Sequence, residues 1–257
     1  MKVTVLASGS KGNCVYVEGE SGALLIDAGL SAREIRNRLA GAGGDENLVK
    51  GIVVTHEHID HIRGVDVLSR RLGLPVAGTA GTLDAFCRTR KSDKPVELIR
   101  ASCGEAFSFG GLSVVPFQTA HDAADPVGYV IEEDGVRIGC CLDTGIITPR
   151  IEEALRRCDA VVLESNHCPQ MLEEGPYPEF LKKRIRSKHG HLSNAAAATC
   201  LRDIGGDLSA VMLAHLSEVN NTPEKALVSA EDALAHLIDG IEVVVGCQHE
   251  VSATVRV

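Results

Sequence analysis

The sequence predicts an α/β fold in which two β-sheets face each other with helices outside. Three observations carry this. Short apolar runs bounded by turn residues alternate with stretches of helical period along the chain. The order of strands followed by helices occurs twice, with one internal echo. YVEGESGALLIDAG (Tyr16 to Gly29) and YVIEEDGVRIGCCLDTG (Tyr129 to Gly145) each read strand, turn, strand, then Asp, a small residue and Gly. Finally, strands this apolar need cover on both faces, which paired sheets under helices supply.

The elements follow in order. KVTVLAS, CVYVEG and ALLIDAG read as three short strands. SAREIRNRLAGAG reads as a helix with Ser31 as N-cap and a Gly-rich stop. NLVKGIVVT is a strand leading into THEHIDH, and Val65, Leu68 and Leu72 then recur at helical spacing. LPVAG is a strand and GTLDAFCRTR a helix. VELI, AFSFG and LSVVPFQTA are strands, the last ending at His121. VGYVIEEDGVRIGCCLDTG is a hairpin turning at EEDG. RIEEALRRC is a helix and DAVVLESN a buried strand. Two helix–strand units follow, AAAATCLRDIG with AVMLAHLS and EKALVSAEDALAHL with IEVVV. Ser193 or Asn194 is placed to cap the first of these helices, and Thr222 with Pro223 and Glu224 to start the second.

The chain has 257 residues and shows no Pro/Ser tract or low-complexity linker. One domain over residues 1–257 is expected. MKVTVLASGS lacks the apolar core of a signal peptide, and no run of about 18 apolar residues suggests a membrane span. Nine cysteines, an odd number without a CxxC pair, read as reduced thiols in a cytoplasmic protein. The net charge is −9 and aromatic residues make up only 3%. A polyanionic partner must therefore meet a local basic patch or metal ions.

THEHIDH, Thr55 to His61, is the densest chemical feature. His56 and His58 are two apart, so in an extended loop their rings point the same way. Asp60 and His61 follow where the chain enters a helix, and face a second point a few ångströms from the first. Imidazole and carboxylate are ligands for zinc and related ions, so this loop suits two metals. Further ligand types close three apolar strands: His121 after LSVVPFQTA, Asp143 after VRIGCCL and His215 after AVMLA. The bland readings are a loop histidine, a turn aspartate and a core histidine.

This pattern resembles the metallo-β-lactamase fold superfamily over nearly the whole chain. The resemblance implies an αββα sandwich of two mixed β-sheets flanked by helices, with a dinuclear site at one edge. It implies that His56, His58 and His121 bind one metal, that Asp60, His61 and His215 bind the other, and that Asp143 bridges them. Asp27 matches an aspartate that supports such a site from behind. Glu164, Asn166 and Asn194 are expected in the same supporting role. The turn G-H-L-S-N before a helix, and the L-x-H-x-S context of His215, resemble the tail of ribonuclease Z. That likeness makes His191 the general acid, with His167 beside it. The S-G-S-x-G-N start, E-S-N-H, G-H-L-S-N and H-L-S-x-x-N-N are similar to the WalJ/YycJ-type subfamily, regarded as DNA exonucleases acting from 5′ ends. Cys168 departs from it, standing where an acid is expected.

FLKKRIRSKHG carries Lys182, Lys183, Arg184, Arg186 and Lys188 and leads to His191. Such a run can neutralise phosphates, although its plain alternative is a solvated helix face. Lys11 and Asn13, in the turn GSKGN, are placed to approach a phosphate. The expected activity is a nuclease with two divalent ions, zinc or manganese, that cleaves DNA in preference to RNA. In it a metal-bridging hydroxide attacks phosphorus in line, with Asp60 and His191 or His167 in catalytic roles. The alternatives are a small-molecule ester, lactone or thioester hydrolase of the same fold, and a binding module without catalysis. Oligomeric state is not readable from the sequence.

Overall fold

The computed structural model describes residues 1–237 and 240–257. The first half builds β1 (Lys2–Ala7), β2 (Cys14–Glu18), β3 (Ala23–Ile26), α1 (Ala32–Gly41) and β4 (Val49–Val53). It continues through α2 (Ile59–Ile62), α3 (Val65–Leu72), β5 (Val76–Gly78), α4 (Ala80–Thr89) and β6 (Leu98–Arg100). The second half builds β7 (Phe107–Phe109), β8 (Leu112–Gln118), β9 (Val127–Glu133), β10 (Val136–Cys141), α5 (Pro149–Leu155) and β11 (Ala160–Glu164). It closes with α6 (Pro169–Glu174), α7 (Glu179–Ile185), α8 (Asn194–Ile204), β12 (Ala210–Ala214), α9 (Pro223–Leu234), β13 (Glu242–Val245) and β14 (Val255–Arg256).

The strands form two seven-stranded mixed sheets, ordered β14-β1-β2-β3-β4-β5-β6 and β13-β12-β11-β10-β9-β8-β7. Both follow one plan. An antiparallel ribbon (β14-β1-β2-β3, or β7-β8-β9-β10) continues into three parallel strands (β4-β5-β6, or β11-β12-β13). The echo read in the sequence thus superposes β3 on β10 in topology, and Asp27 and Asp143 follow the two equivalent strands.

Side-chain alternation explains the layering. In β3, Leu24 and Ile26 enter the core between the sheets, whereas Ala23 and Leu25 pack under the helices of the first half. In β10, Ile138 and Cys140 face the first core and Cys141 the helices of the second half. Both faces are buried, as strands under flanking helices require. Capping sets the helix starts: Ser31, Ser193 and Thr222 accept from Glu34, Ala196 and Lys225 backbone N–H groups at 3.2, 3.2 and 3.3 Å. Gly64, between α2 and α3, packs so closely that a Cβ there would lie 2.2 Å from the Leu30 carbonyl oxygen, which favours glycine at the junction. Among the elements the sequence reading did not assign are the six-residue α6 and the two-residue β14. Neither is long enough to show a period. All nine cysteines are free. Among the described residues, no helix is long and apolar enough to cross a membrane.

Candidate metal centre

The carboxyl ends of the central strands meet along one edge of the sandwich, and the predicted ligands converge there. Four overlapping groups place their ligand atoms within 4.8 Å of one another: His56, His58 and His121; His56, His61 and Asp143; Asp60, His61 and His215; and Asp143, Glu164, His191 and His215. His56 joins the first group to the second and His61 the second to the third, with Asp143 in the middle one, so the three describe two adjacent points. His56 Nε2 lies 3.0 Å from His58 Nδ1, and Asp143 Oδ2 lies 2.7 Å from His61 Nε2 and 3.6 Å from His56 Nε2. On the other side, Asp60 Oδ2 is 3.6 Å from His61 Nε2 and 3.7 Å from His215 Nε2.

The loop that carries His56 to His61 is strapped from three sides. Asn13 N–H donates to the Asp60 carbonyl at 2.7 Å, and Ala28 N–H to the His61 carbonyl at 2.8 Å. Glu57 Oε1 accepts from Ala124 N–H at 2.8 Å, tying the loop to the one that follows His121. Gly29 is essential to this packing, since a Cβ there would sit 1.7 Å from the Asp60 carbonyl oxygen. Asp27, Asp143 and His215 all have positive φ, at 61°, 51° and 56°. Non-glycine residues seldom adopt this region, which costs of order 1–3 kcal/mol each where it is strained. The only other non-glycine case among the described residues, Asp134, lies in the β9–β10 turn. Each strained site residue turns its side chain sharply as its strand ends.

Partners behind the site fix which ring nitrogen faces it. Asp27 Oδ2 lies 2.7 Å from His61 Nδ1, and Asp27 is itself held by the Thr55 N–H and hydroxyl, both at 2.8 Å. Thr55 Oγ1 is also 3.0 Å from His56 Nδ1. His121 Nδ1 donates to the Gly190 carbonyl at 3.0 Å. His215 Nδ1 lies 2.9 Å from Asp143 Oδ1 and 3.2 Å from Glu164 Oε1. His56, His61, His121 and His215 therefore all present Nε2 inward, the arrangement that carboxylate–histidine–metal triads use. Asn166 Nδ2 donates to the His215 carbonyl at 2.8 Å, and Ser8 Oγ accepts from the His215 N–H. Asn194 touches no ligand. It pairs with Asn221 through two amide hydrogen bonds of 2.8 Å and accepts from Ser165 at 2.8 Å, which fixes the strand-end segment bearing Asn166 and His167.

The electrostatics fit cations. Burial opposes protonation of His61, yet Asp27 and Asp143 carry its pKa up to about 10. His215 is raised in the same sense by Asp143, again against burial. Burial works to raise the Asp143 carboxyl, but His215 and His61 hold it well below the usual carboxylate range. His56 and His121 are pushed down, chiefly by burial, and stay neutral as ligands must. Buried His215 Nε2, which lies 3.7 Å from Asp60 Oδ2, makes no aligned hydrogen bond. A buried polar atom left this way is costly unless a further partner completes it. The donor set of imidazole and carboxylate suits zinc or manganese.

His191 and His167 differ. His191 Nδ1 lies 2.7 Å from Glu164 Oε1 and 3.1 Å from Asp143 Oδ1. Its pKa rises to about 9 against burial, because of Glu164 first and then Asp143. His167 is buried, its Nδ1 has no partner, and burial drives its pKa down to about 4. A neutral, enclosed ring departs from the role of acid expected of it.

The basic residues need correction in part. Lys182 is only 6% exposed, and its ammonium donates to the Glu173 carbonyl, so it does not face a substrate. Arg184 pairs with Asp122 at 2.7 Å, and Arg186 with Glu173. Lys183 and Lys188 are exposed, with no ion-pair partner among the described residues. Lys11 is exposed, but its Nζ pairs with Glu218 at 2.6 Å and its N–H is taken by Gln248 Oε1 at 2.7 Å. Asn13 is fully buried, with its amide 3.0 Å from His61 Nε2, so it supports the ligand loop and is no phosphate contact. Sequence reasoning missed Thr55, Ser8 and Asn221. Each lay within a quoted motif, Ser8 at the start of S-G-S-x-G-N, Thr55 at the start of THEHIDH and Asn221 at the end of H-L-S-x-x-N-N, but residue type alone did not show what it would hold.

Fold and site together define a metal-dependent hydrolase of αββα architecture, and the chain belongs to the β-lactamase superfamily, whose domain profile matches residues 23–216. It is 38% identical to exodeoxyribonuclease YycJ of Bacillus anthracis over 232 residues, 90% of this chain and 88% of that protein. It is 35% identical to exodeoxyribonuclease WalJ of Streptococcus pneumoniae over 246 residues, 94% of this chain and 91% of that protein. In structure it resembles the metallo-β-lactamase fold protein YhfI of Bacillus subtilis, with a TM-score of 0.74, 17% identity and 97% of each chain covered.

Proposed function

We propose that the chain is a two-metal exodeoxyribonuclease that works from the 5′ end. The observation that carries this is the similarity to two proteins named exodeoxyribonucleases, at 35–38% identity over nine tenths of the chain. The site supports it with two ligand sets. His56, His58 and His121 would hold one ion; Asp60, His61 and His215 would hold the second; Asp143 would face both. Bound ions would polarise a phosphodiester and make hydroxide available at neutral pH.

The chain's own residues then do the rest. Asp27 and Thr55 hold the Nδ1 atoms of His61 and His56, so that Nε2 of each ring would face the ions once it is free of its proton. His191, gripped at Nδ1 by Glu164, keeps Nε2 free, and so can pass a proton to the departing alkoxide. Its raised pKa supports a protonated ring at neutral pH, whereas His167 would be deprotonated. Exposed Lys183 and Lys188 lie on the segment just before His191 and suit phosphates in an otherwise acidic chain.

The test is cleavage of 5′-end-labelled duplex DNA and a matching RNA, in manganese and in zinc, beside Asp60→Ala. Metal-dependent release of short 5′-labelled products from DNA, absent from the variant, is the expected result. A ladder shortened from the 3′ end would overturn the polarity. Cleavage of neither polymer, with simple esters still hydrolysed, would overturn the nuclease.

A further inference from the structure

The chain has no tryptophan, three tyrosines and five phenylalanines. Among the described residues nearly all of these are buried or half-buried; the exception is Phe180, which is 76% exposed on α7. A single exposed apolar side chain needs no explanation by itself. Its neighbours give this one a direction.

On α7 the buried face is set by Lys182 and Ile185. Phe180 lies on the opposite face with Lys183 and Arg184, at spacings of three and four residues, so their side chains are neighbours. Arg184 crosses to Asp122, donating from Nε at 2.8 Å and Nη2 at 2.7 Å. Asp122 in turn lies 3.3 Å from Nε2 of His121, one of the proposed ligands. Phe180 is therefore one helical turn from a residue fastened to the lip of the metal centre. Exposed Lys183 stands beside it, and Lys188 follows on the way to His191.

Resting on the nuclease reading above, we infer that Phe180 is a stacking platform for an unpaired nucleobase of the DNA strand entering the site. A flat apolar ring offers every base a π-face, and cations beside it meet the flanking phosphates. This combination grips single strands without reading sequence. In a chain of net charge −9, exposed Lys183 beside the ring, with Lys188 after it, gives a polyanion a local reason to settle here. Glu179, next to Phe180, is exposed, and it lies within 3.5 Å of the Lys182 ammonium. The platform makes the substrate at the lip a frayed or single-stranded end, and predicts that paired ends must open before entry.

The lack of tryptophan supplies the test, because Phe180→Trp creates a unique fluorophore. Metal-loaded Phe180→Trp protein is titrated with a cleavage-resistant phosphorothioate oligothymidylate and with an abasic strand of equal length. The expected result is quenching of the introduced indole by the base-bearing strand and none by the abasic strand, which binds roughly 10- to 100-fold more weakly. In parallel, Phe180→Ala should raise KM for single-stranded DNA by roughly tenfold or more with kcat preserved, and Phe180→Tyr should restore it. Equal quenching by both strands, or an unchanged KM in Phe180→Ala, would overturn the inference. Cleavage of DNA without base-dependent quenching would sink the platform and leave the nuclease. Base-dependent quenching without any DNA cleavage would do the reverse.

Discussion

At the scale of single residues, two of the histidines beside Asp143, His61 and His191, differ in what holds them. In the proposed assignment His61 would offer its inward nitrogen to an ion, while His191 is held at Nδ1 by Glu164. His61→Ala is expected to lose metal and nearly all turnover. His191→Ala should retain both metals and slow turnover by about 100- to 10,000-fold, the usual contribution of a positioned acid. Metal analysis of the purified variants beside their rates checks this; equal metal loss in both would remove the acid role. A second prediction concerns protons. His61 and His215 are raised by their carboxylate neighbours, so at pH 7 the metal-free centre holds protons that ligands must shed. Calorimetric metal titrations in buffers of different ionisation enthalpy should report release of about one to two protons. The sign for stability is fixed by the same shift. The contribution of His61 to the metal-free fold is complete below its ordinary value near 6.5 and is lost as pH rises through about 10. Enthalpies that do not vary with buffer would contradict the protonated centre.

At the scale of elements, the start of α8 separates capping from site support. Ser193 satisfies one N–H at the helix end, whereas Asn194 joins a buried amide network with Asn221 and Ser165. Ser193→Ala should cost about 1 kcal/mol. Asn194→Ala leaves buried partners unsatisfied, and should cost about 1–3 kcal/mol and loosen the segment that holds the His215 carbonyl through Asn166. Urea titration of the metal-free variants measures both; a larger loss for Ser193→Ala would contradict this division. The elements also show what was legible. The strands around Asp27, Asp143 and His215 declared themselves because apolar runs stop abruptly at polar residues. Ser31, Ser193 and Thr222 announced their caps. β14 was not legible, since two residues carry no pattern. Lys182 and Asn13 misled because sequence shows residue type and not burial. Their polar ends are satisfied by a carbonyl 9 residues away and by a loop 47 residues away, long-range contacts that no local spacing encodes.

At the scale of the whole molecule, the repeated plan of the two sheets explains why the site lies between them. His56, His58, Asp60 and His61 come from the first sheet's half, and His121, Asp143 and His215 from the second's. On the proposed assignment neither half would hold a complete ligand set, so the centre would form only when the inter-sheet core packs. Metal binding and folding are therefore linked, and excess metal at 100 times its Kd should add about 2.7 kcal/mol to stability. The most direct test of the account is a stoichiometric titration of metal-free protein with manganese, following bound ions and DNA hydrolysis in the same samples. The account predicts two ions per chain and activity that rises only with the second. Full activity at one ion per chain, or a single binding site, would contradict the paired centre around Asp143.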